Sequence, residues 1–412
     1  MIDRGRIAQA LAKHPFADWI VFERDQELAV RDGARGRTEL RSRFRIVAHV
    51  DTPKGRGTAR LAVDTVDADA DQLADRAVAL AIASVGDSWE TPPAAAPARV
   101  ELADPAFDDD LDAIADRVLH AVAARNAVIG VTLLRERVAS ISRSGFHAEW
   151  RATLARASAL VIADARSLLI EREARQLDAL DISAAIADAT SDLHALARAP
   201  AATAGPCSAI LTADALVPDD LGVWAAFAAQ ADARLASEGL SRFRENLPIV
   251  AGADQMPDPL TITSDGALAF GVRSAPLGDD GDAVRRFAIV DRGLAGTLGL
   301  SPREASLRKL DPNGGVRNLV VRPGTWNGQA DPSGRLVEIR RLRSLAIDPY
   351  SGDASLEIAL GIEHGKGPFT GGTLRLDLIE ALARARRSSA RMRRGAYDGP
   401  SSVLIEKAEL LV

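Results

Sequence analysis

The chain has 412 residues, 47% hydrophobic, 26% charged and only 4% aromatic, which is ordinary globular usage and not the signature of a disordered or membrane protein. At this length two or three domains are expected, with helix surfaces packed by Ala, Leu, Ile and Val. The mild net charge of −6 gives no indication of wholesale nucleic-acid binding, and the excess of 46 Arg over 5 Lys reflects genome composition more than any ligand.

The opening MIDRGRIAQALAKHPFADW lacks the continuous apolar core of a signal peptide, and no uninterrupted apolar run reaches the ~18 residues of a membrane span. A cytoplasmic protein is therefore expected. From Asp18 to Val63, the runs WIVFERDQELAVRDG, ELRSRFRIVAHV and TARLAVD alternate polar and apolar residues between turns at Gly33, Gly36 and PKGRG. That pattern predicts three antiparallel strands. VDADADQLADRAVALAIASVG then predicts a helix across the sheet, capped by Asp67 or Asp69, with Leu73, Ala77, Leu80 and Ala81 at helical spacing. After the proline-rich TPPAAAPA, DDDLDAIADRVLHAVAARN predicts a second helix with the stripe Leu111, Ile114 and Val118. Residues 128–163 alternate again around SRSG and predict two or three more strands. LDISAAIADATSDLHALARA predicts a third helix, with Ile182, Ile186, Leu193 and Ala197 on one face. The stretch RAPAATAGP, residues 198–206, marks the expected boundary between an N-terminal α+β domain (1–200) and a C-terminal domain (201–412).

Residues 209–246 read as a strand running into an amphipathic helix, with Leu221, Trp224, Ala228 and Leu235 near one face. Beyond them turn signals crowd in, among them SDGA, GDDGD, DPNGG, DPSG and IDPYSGD, and the short apolar runs between them suit antiparallel strands. Asn313-Gly314 is a strong local hairpin signal. One helix, residues 376–387, precedes a closing strand, SVLIEKAELLV, and no solenoid-type repeat is present. The fold class expected is α+β in two domains, the second mainly antiparallel β.

Candidate chemistry is sparse. A hydrolytic zinc needs imidazoles or carboxylates converging from about one helix turn, with a glutamate beside them. The six histidines (His14, His49, His120, His147, His194, His364) lie at least 27 residues apart, and His120 and His194 fall off their apolar stripes. A structural reading of them is favoured. Ser144, His147 and Glu149 sit close along an alternating strand, which sends neighbouring side chains to opposite faces, and Ser144-Gly145 reads as a turn. Cys207 has no nearby basic residue to activate it, and as the single cysteine it excludes an intrachain disulfide and a thiol-rich metal site. GIEHGKGPFTGG fails the phosphate-loop spacing and has Gly367 where magnesium needs Ser or Thr, so a hairpin at His364-Gly365 is expected. The cluster ARARRSSARMRRGA carries Arg384, Arg386, Arg387, Arg391, Arg393 and Arg394 without an acid and could grip a carboxylate, although such runs are usually solvated.

Taken in order, these segments resemble the TldD/PmbA (TldD/TldE) family over nearly the whole chain. The resemblance is carried by DWIVFERDQELAVRDG, by GRGTARLAVDTVDADADQLADRAVALAIAS and by RVASISRSGFHAEWRATLARASALVIA. It continues through PCSAILTADAL, PDPLTITSDGAL, RRFAIVDRGLAGTLGLS, GVRNLVVRPGT, IEHGKG and GPSSVLIEKAELLV. It implies a dimer acting in peptide processing. In the catalytic TldD branch the helix after the central strand carries H-E-x-x-x-H and a later Cys completes a zinc site. This chain has LGVWAAFAAQADARLASEG and RMRRGAYDGPS at those places, so no zinc ligand carries over and no cofactor is expected in it. SRFREN is similar to the PmbA/TldE branch.

The expectation is a TldE/PmbA-like subunit without its own metal or catalytic residues, paired with a TldD-like zinc-binding subunit and acting on unfolded or leader peptides. No nucleic acid or membrane partner is expected. Trp224, Arg242 and Phe243 are candidates for the peptide chamber or the subunit interface, as an exposed-helix Trp beside an Arg-aromatic pair. The alternatives are a stand-alone homodimer that binds peptides or serves as a scaffold, and an enzyme with a non-metal mechanism or with ligands assembled from distant histidines.

Overall fold

The alternating runs of the N-terminal half pair into one sheet in the computed structural model, which describes residues 3–33, 35–64, 69–92, 96–122, 126–163, 165–328 and 334–412. Its strands, numbered in chain order, are β1 (Asp18–Asp32), β2 (Arg35–Thr52), β3 (Gly55–Asp64), β4 (Ala127–Ser142), β5 (His147–Ala163) and β6 (Arg166–Ala174). They are antiparallel throughout, in the order β3-β2-β1-β4-β5-β6. The three expected N-terminal strands are present. Residues 128–163 give two strands joined through Ser144-Gly145, and the third lies beyond them, from Arg166.

Four helices cover the sheet: α1 (Arg4–Ala12), α2 (Ala70–Ala83), α3 (Leu111–Val122) and α4 (Ile182–Arg198). The first was not expected; Asp3 caps it by accepting from the Arg6 amide, and Ile7 and Leu11 are buried. Asp69 caps α2 in the same way. This helix lies so close to β3 that a Cβ at Gly57 would fall 1.8 Å from the Ala81 carbonyl oxygen. Leu73 and Ala77 pack there against Val21, Phe44 and Ile46, while Leu111, Ile114, Ile186 and Leu193 pack on β4, β5 and β6. On β1, Ile20 and Phe22 point away from the helices and meet Val138 and Leu277. The run WIVF is thus buried on both faces, as an apolar run without alternation implies.

The C-terminal half builds two sheets. The larger contains β7 (Gly205–Leu211), β12 (Leu336–Ile347), β13 (Asp353–Glu363), β14 (Gly367–Phe369), β15 (Thr373–Asp377), β16 (Arg386–Arg387) and β19 (Val403–Leu411). Its order is β12-β7-β19-β15-β13-β14, and because β12 also pairs with β13, five strands close into a ring. Closure leaves those strands no free edge. The smaller sheet runs β10-β9-β8-β11-β18-β17, from β8 (Ile262–Asp265), β9 (Arg286–Asp291), β10 (Leu294–Ala295), β11 (Asn318–Val321), β17 (Arg391–Arg394) and β18 (Tyr397–Pro400). Short helices link them: α5 (Ala213–Leu216), α6 (Ala225–Gln230), α7 (Ala233–Ser237), α8 (Pro302–Arg308) and α9 (Leu378–Arg384). The fold is α+β, with all three sheets mainly antiparallel. Among the described residues no helix is long and apolar enough to cross a membrane.

Three expectations need correction. Residues 209–246 do not form one long helix: α5 is a single turn that stops before Pro218, whose ring and missing N–H disfavour continuation. The chain then folds back at Gly222, where φ is +52° and a Cβ would lie 2.2 Å from the Leu216 carbonyl oxygen. Asn313-Gly314 is not a hairpin. The Asn313 side chain accepts from the amides of Leu300 and Gly315 and donates to the Leu298 carbonyl, pinning the loop between α8 and β11. Helix 376–387 shrinks to α9, because Asp377 caps it from the end of β15 and Arg386 already belongs to β16. The hairpin at His364-Gly365 is present, between β13 and β14.

Candidate functional site

The segment that follows β7 reaches the seam between the two halves. Thr212 ends β7 by donating its hydroxyl to the Ile339 carbonyl, and α5 then turns Asp214 toward β6 of the N-terminal sheet. Three guanidinium groups converge on this carboxylate. Arg172 from β6 reaches Oδ1 at 3.0 Å, Arg394 from β17 reaches Oδ1 at 2.5 Å, and Arg341 from β12 reaches Oδ2 at 2.8 Å. Arg341 also donates Nε to Asp192 on α4, at 2.7 Å, and Arg340 donates to the other oxygen of Asp192 at 2.9 Å. Burial opposes ionisation of Asp214, but the charges of Arg394, Arg341 and Arg172 outweigh it and hold the carboxyl below its ordinary range. The group is an anion held by three guanidinium groups.

Arg172 and Arg394 also line a cavity of about 860 Å³, walled by Val30 and Thr132 on one side and by Pro218, Val272 and Gly395 on the other. Its remaining cations are spoken for. Arg31 pairs with Asp112 and Asp116, Arg156 with Glu173, and Arg273 with Asp220. Guanidinium groups and strand backbone can hold carboxylates and peptide groups. The walls carry Thr132 and Ser158 but no histidine or cysteine.

The sequence candidates fall elsewhere. Trp224 has no exposed surface: it stacks on Tyr397, ring centroids 5.8 Å apart, in the core of the C-terminal half. It is no exposed-helix anchor, because it closes a 3-10 turn just before α6 and is fully enclosed. Phe243 is likewise buried, against Phe227. Arg242 is partly exposed and forms a two-pronged ion pair with Asp377, at 2.7 and 3.1 Å. Of the arginine-rich run, Arg387 is fully buried against Asp258, and Arg391 pairs with Asp398. Arg394 does grip a carboxylate, but one of this chain. The partners Arg172, Asp192, Asp214 and Arg341 were missed, since nothing local in sequence joins them.

Residues 217–410 match the family of the PmbA/TldA metallopeptidase C-terminal domain. The C-terminal half therefore carries a domain of the PmbA/TldD family. The whole chain shares its fold with two proteins described as proposed modulators of DNA gyrase. One, from Bacteroides thetaiotaomicron, shows 13% identity and a TM-score of 0.76 over 100% of both chains. The other, from Thermotoga maritima, shows 14% identity and 0.76 over 99% of both. TldE from Thermococcus kodakarensis is similar too, at 12% identity and 0.76 over 99% of both chains. No curated protein matches the sequence.

The TldD branch of this family implies zinc, and the residues present do not fit it. The segment after β7 offers Asp214, Asp219 and Asp220 but no imidazole, and Asp214 is already engaged by three arginines. Among the described residues no group of three or more His, Cys, Asp or Glu is placed to hold a metal ion. His120, His147, His194 and His364 are exposed, and His49 is buried against Thr58 and Trp89. Cys207 is buried on β7, which pushes its thiol pKa up and keeps it protonated.

Proposed function

We propose that this chain is a TldE/PmbA-like subunit without a metal site, which pairs with a separate zinc-bearing TldD-like subunit in a peptidase acting on unfolded or leader peptides in the cytoplasm. The observation that carries the reading is the Asp214 clamp. Where the catalytic branch presents metal ligands after the central strand, this chain presents a carboxylate neutralised by three guanidinium groups. Its contribution is a wall of the peptide chamber. The cavity beside the clamp is lined by β6, the edge strand of the N-terminal sheet, whose outer backbone suits an extended chain. The division near residue 200 then separates a sheet-and-helix half from a β-rich half that carries the family domain.

Co-expression with a TldD-like protein from the same genome tests the proposal. A stable complex on gel filtration, with chelator-sensitive cleavage of an unfolded polypeptide by the complex and none by this chain alone, is the expected result. A homodimer that ignores the partner yet binds peptides would replace it with the stand-alone scaffold reading.

A further inference from the structure

A second cavity, of about 410 Å³, lies where the ends of β1, β2 and β4 meet the loop Gly278–Asp282 of the C-terminal half. It is walled by Trp19, Ile20, Val47, Phe146 and Pro302, and its polar lining is strongly acidic. Asp18, Glu90, Asp280 and Asp282 face it against a single guanidinium, that of Arg56. Two of the charges are already used. Arg56 is held by both oxygens of Asp51, at 2.6 and 3.1 Å, and Asp280 is bracketed by Arg60 at 2.9 and 2.7 Å. Asp18, Glu90 and Asp282 have no ion-pair partner among the described residues.

Asp282 is the telling group. It is 6% exposed, and its Oδ2 is shut from solvent with no hydrogen-bond partner among the described residues. Its Oδ1 lies against Gly278, where a Cβ would come within 2.1 Å of it. Its neighbours on the loop are used differently: Asp279 meets Arg45 and Arg317, and Asp280 meets Arg60, so they bolt the two halves together. An unpaired carboxylate oxygen at this depth costs several kcal/mol unless a proton or a cation meets it. Burial, with the charges of Asp280 and Asp279 adding to it, raises the Asp282 pKa to about 6, and Arg317 only partly opposes this. His49, across the cavity, is neutral near pH 7, since burial pushes its pKa down to about 4.

We propose that this cavity is a binding site for an ammonium or guanidinium group, with Asp18 and Glu90 as the acceptors it touches and Asp282, its Oδ2 closed to solvent, as the unpaired charge behind them. The apolar walls take the alkyl stem of such a ligand, and the exposed Glu90 and Ser144 mark the mouth. Free alkylamines and the basic side chain of a polypeptide share this chemistry. The site does not depend on the peptidase reading, because none of the residues of the larger cavity lines it.

Calorimetric titration of the full chain near neutral pH tests it with three probes: n-butylammonium, a capped alanine peptide with one central arginine, and the same peptide with citrulline. Saturable binding of either cationic probe, and at least ~10-fold weaker binding of the citrulline peptide, is the expected result. Butylammonium binding identifies a small-amine site, and binding of the arginine peptide alone identifies a side-chain pocket. Asp282→Asn, checked for folding by its thermal transition, should lose about 10-fold in affinity, and Glu90→Gln at the rim about 3-fold. No saturation by either cation up to about 10 mM would overturn the proposal. So would equal affinity for the citrulline peptide, or a folded Asp282→Asn chain that binds as tightly as the wild type.

Discussion

Asp214 and Asp282 are the same chemical group, both withdrawn from water at the seam between the two halves, and their surroundings drive them to opposite states. Asp214 collects Arg172, Arg341 and Arg394 and is held ionised below its ordinary range. Among the described residues Asp282 has no guanidinium in contact, and two like charges lie on its own loop, so its proton stays on up to about pH 6. Burial is common to both; what differs is the number of cations within reach. A carboxylate clamped from inside the chain is a structural joint, whereas one left unpaired behind a cavity is a charge for a ligand to meet.

The strongest way to break this contrast is to remove the clamped group. Asp214→Asn leaves three guanidinium groups without their shared counter-ion and should cost about 3–5 kcal/mol in urea unfolding. A loss under about 1 kcal/mol would mean that the network is not a joint.

Removing the unpaired group should act in the opposite direction. In the folded chain Asp282 keeps its proton up to about pH 6, against an ordinary value of 3.8. Between those values the folded state binds the extra proton, so the Asp282 contribution to stability falls as pH rises from about 4 to 6 and stays lowered above. Asp282→Asn should therefore gain about 3 kcal/mol near neutral pH and lose that dependence. A destabilised variant with the dependence intact would contradict the unpaired state of Asp282.

Smaller effects sharpen the comparison. Arg172→Met removes one of three donors to Asp214 and should cost about 1–2 kcal/mol, since two remain. His49→Gln should cost about 1 kcal/mol near neutral pH, through its contact with Thr58. Its larger effect is on the pH profile. Burial lowers the His49 pKa from 6.5 to about 4, so its neutral form contributes stability at pH 7 that is lost as pH falls between those values. The His49 and Asp282 slopes oppose each other between about pH 4 and 6, and wild-type stability should be nearly flat there. Each single variant should expose the slope of the other residue in urea midpoints measured across that range.

Much of the sheet framework was legible in the sequence because one face of each strand is buried and the other wet. Alternation located β1 to β5, and the turn signals after residue 260 marked a β-rich half. The helix expected over residues 209–246 failed because Pro218 and the backward turn at Gly222 outweigh an amphipathic pattern. The pattern was real as burial for part of its stripe: Leu221 and Trp224 are core residues, and Ala228 and Leu235 are half-buried. The Asp214 joint was out of reach, since its arginines come from β6, β12 and β17 and meet only through the fold. The run GDDGD read only as a turn. Nothing local shows that two of its acids are paired across the seam and the third is not.

The most direct test of a metal-free subunit is the metal content of the isolated chain after saturation with zinc and gel filtration. A clamped Asp214 and dispersed histidines predict zinc no higher than in the buffer control, for the wild type and for Asp214→Asn alike. One tightly held zinc per chain, with chelator-sensitive peptide cleavage in the absence of any partner, would contradict the reading of this protein as the silent half of a peptidase.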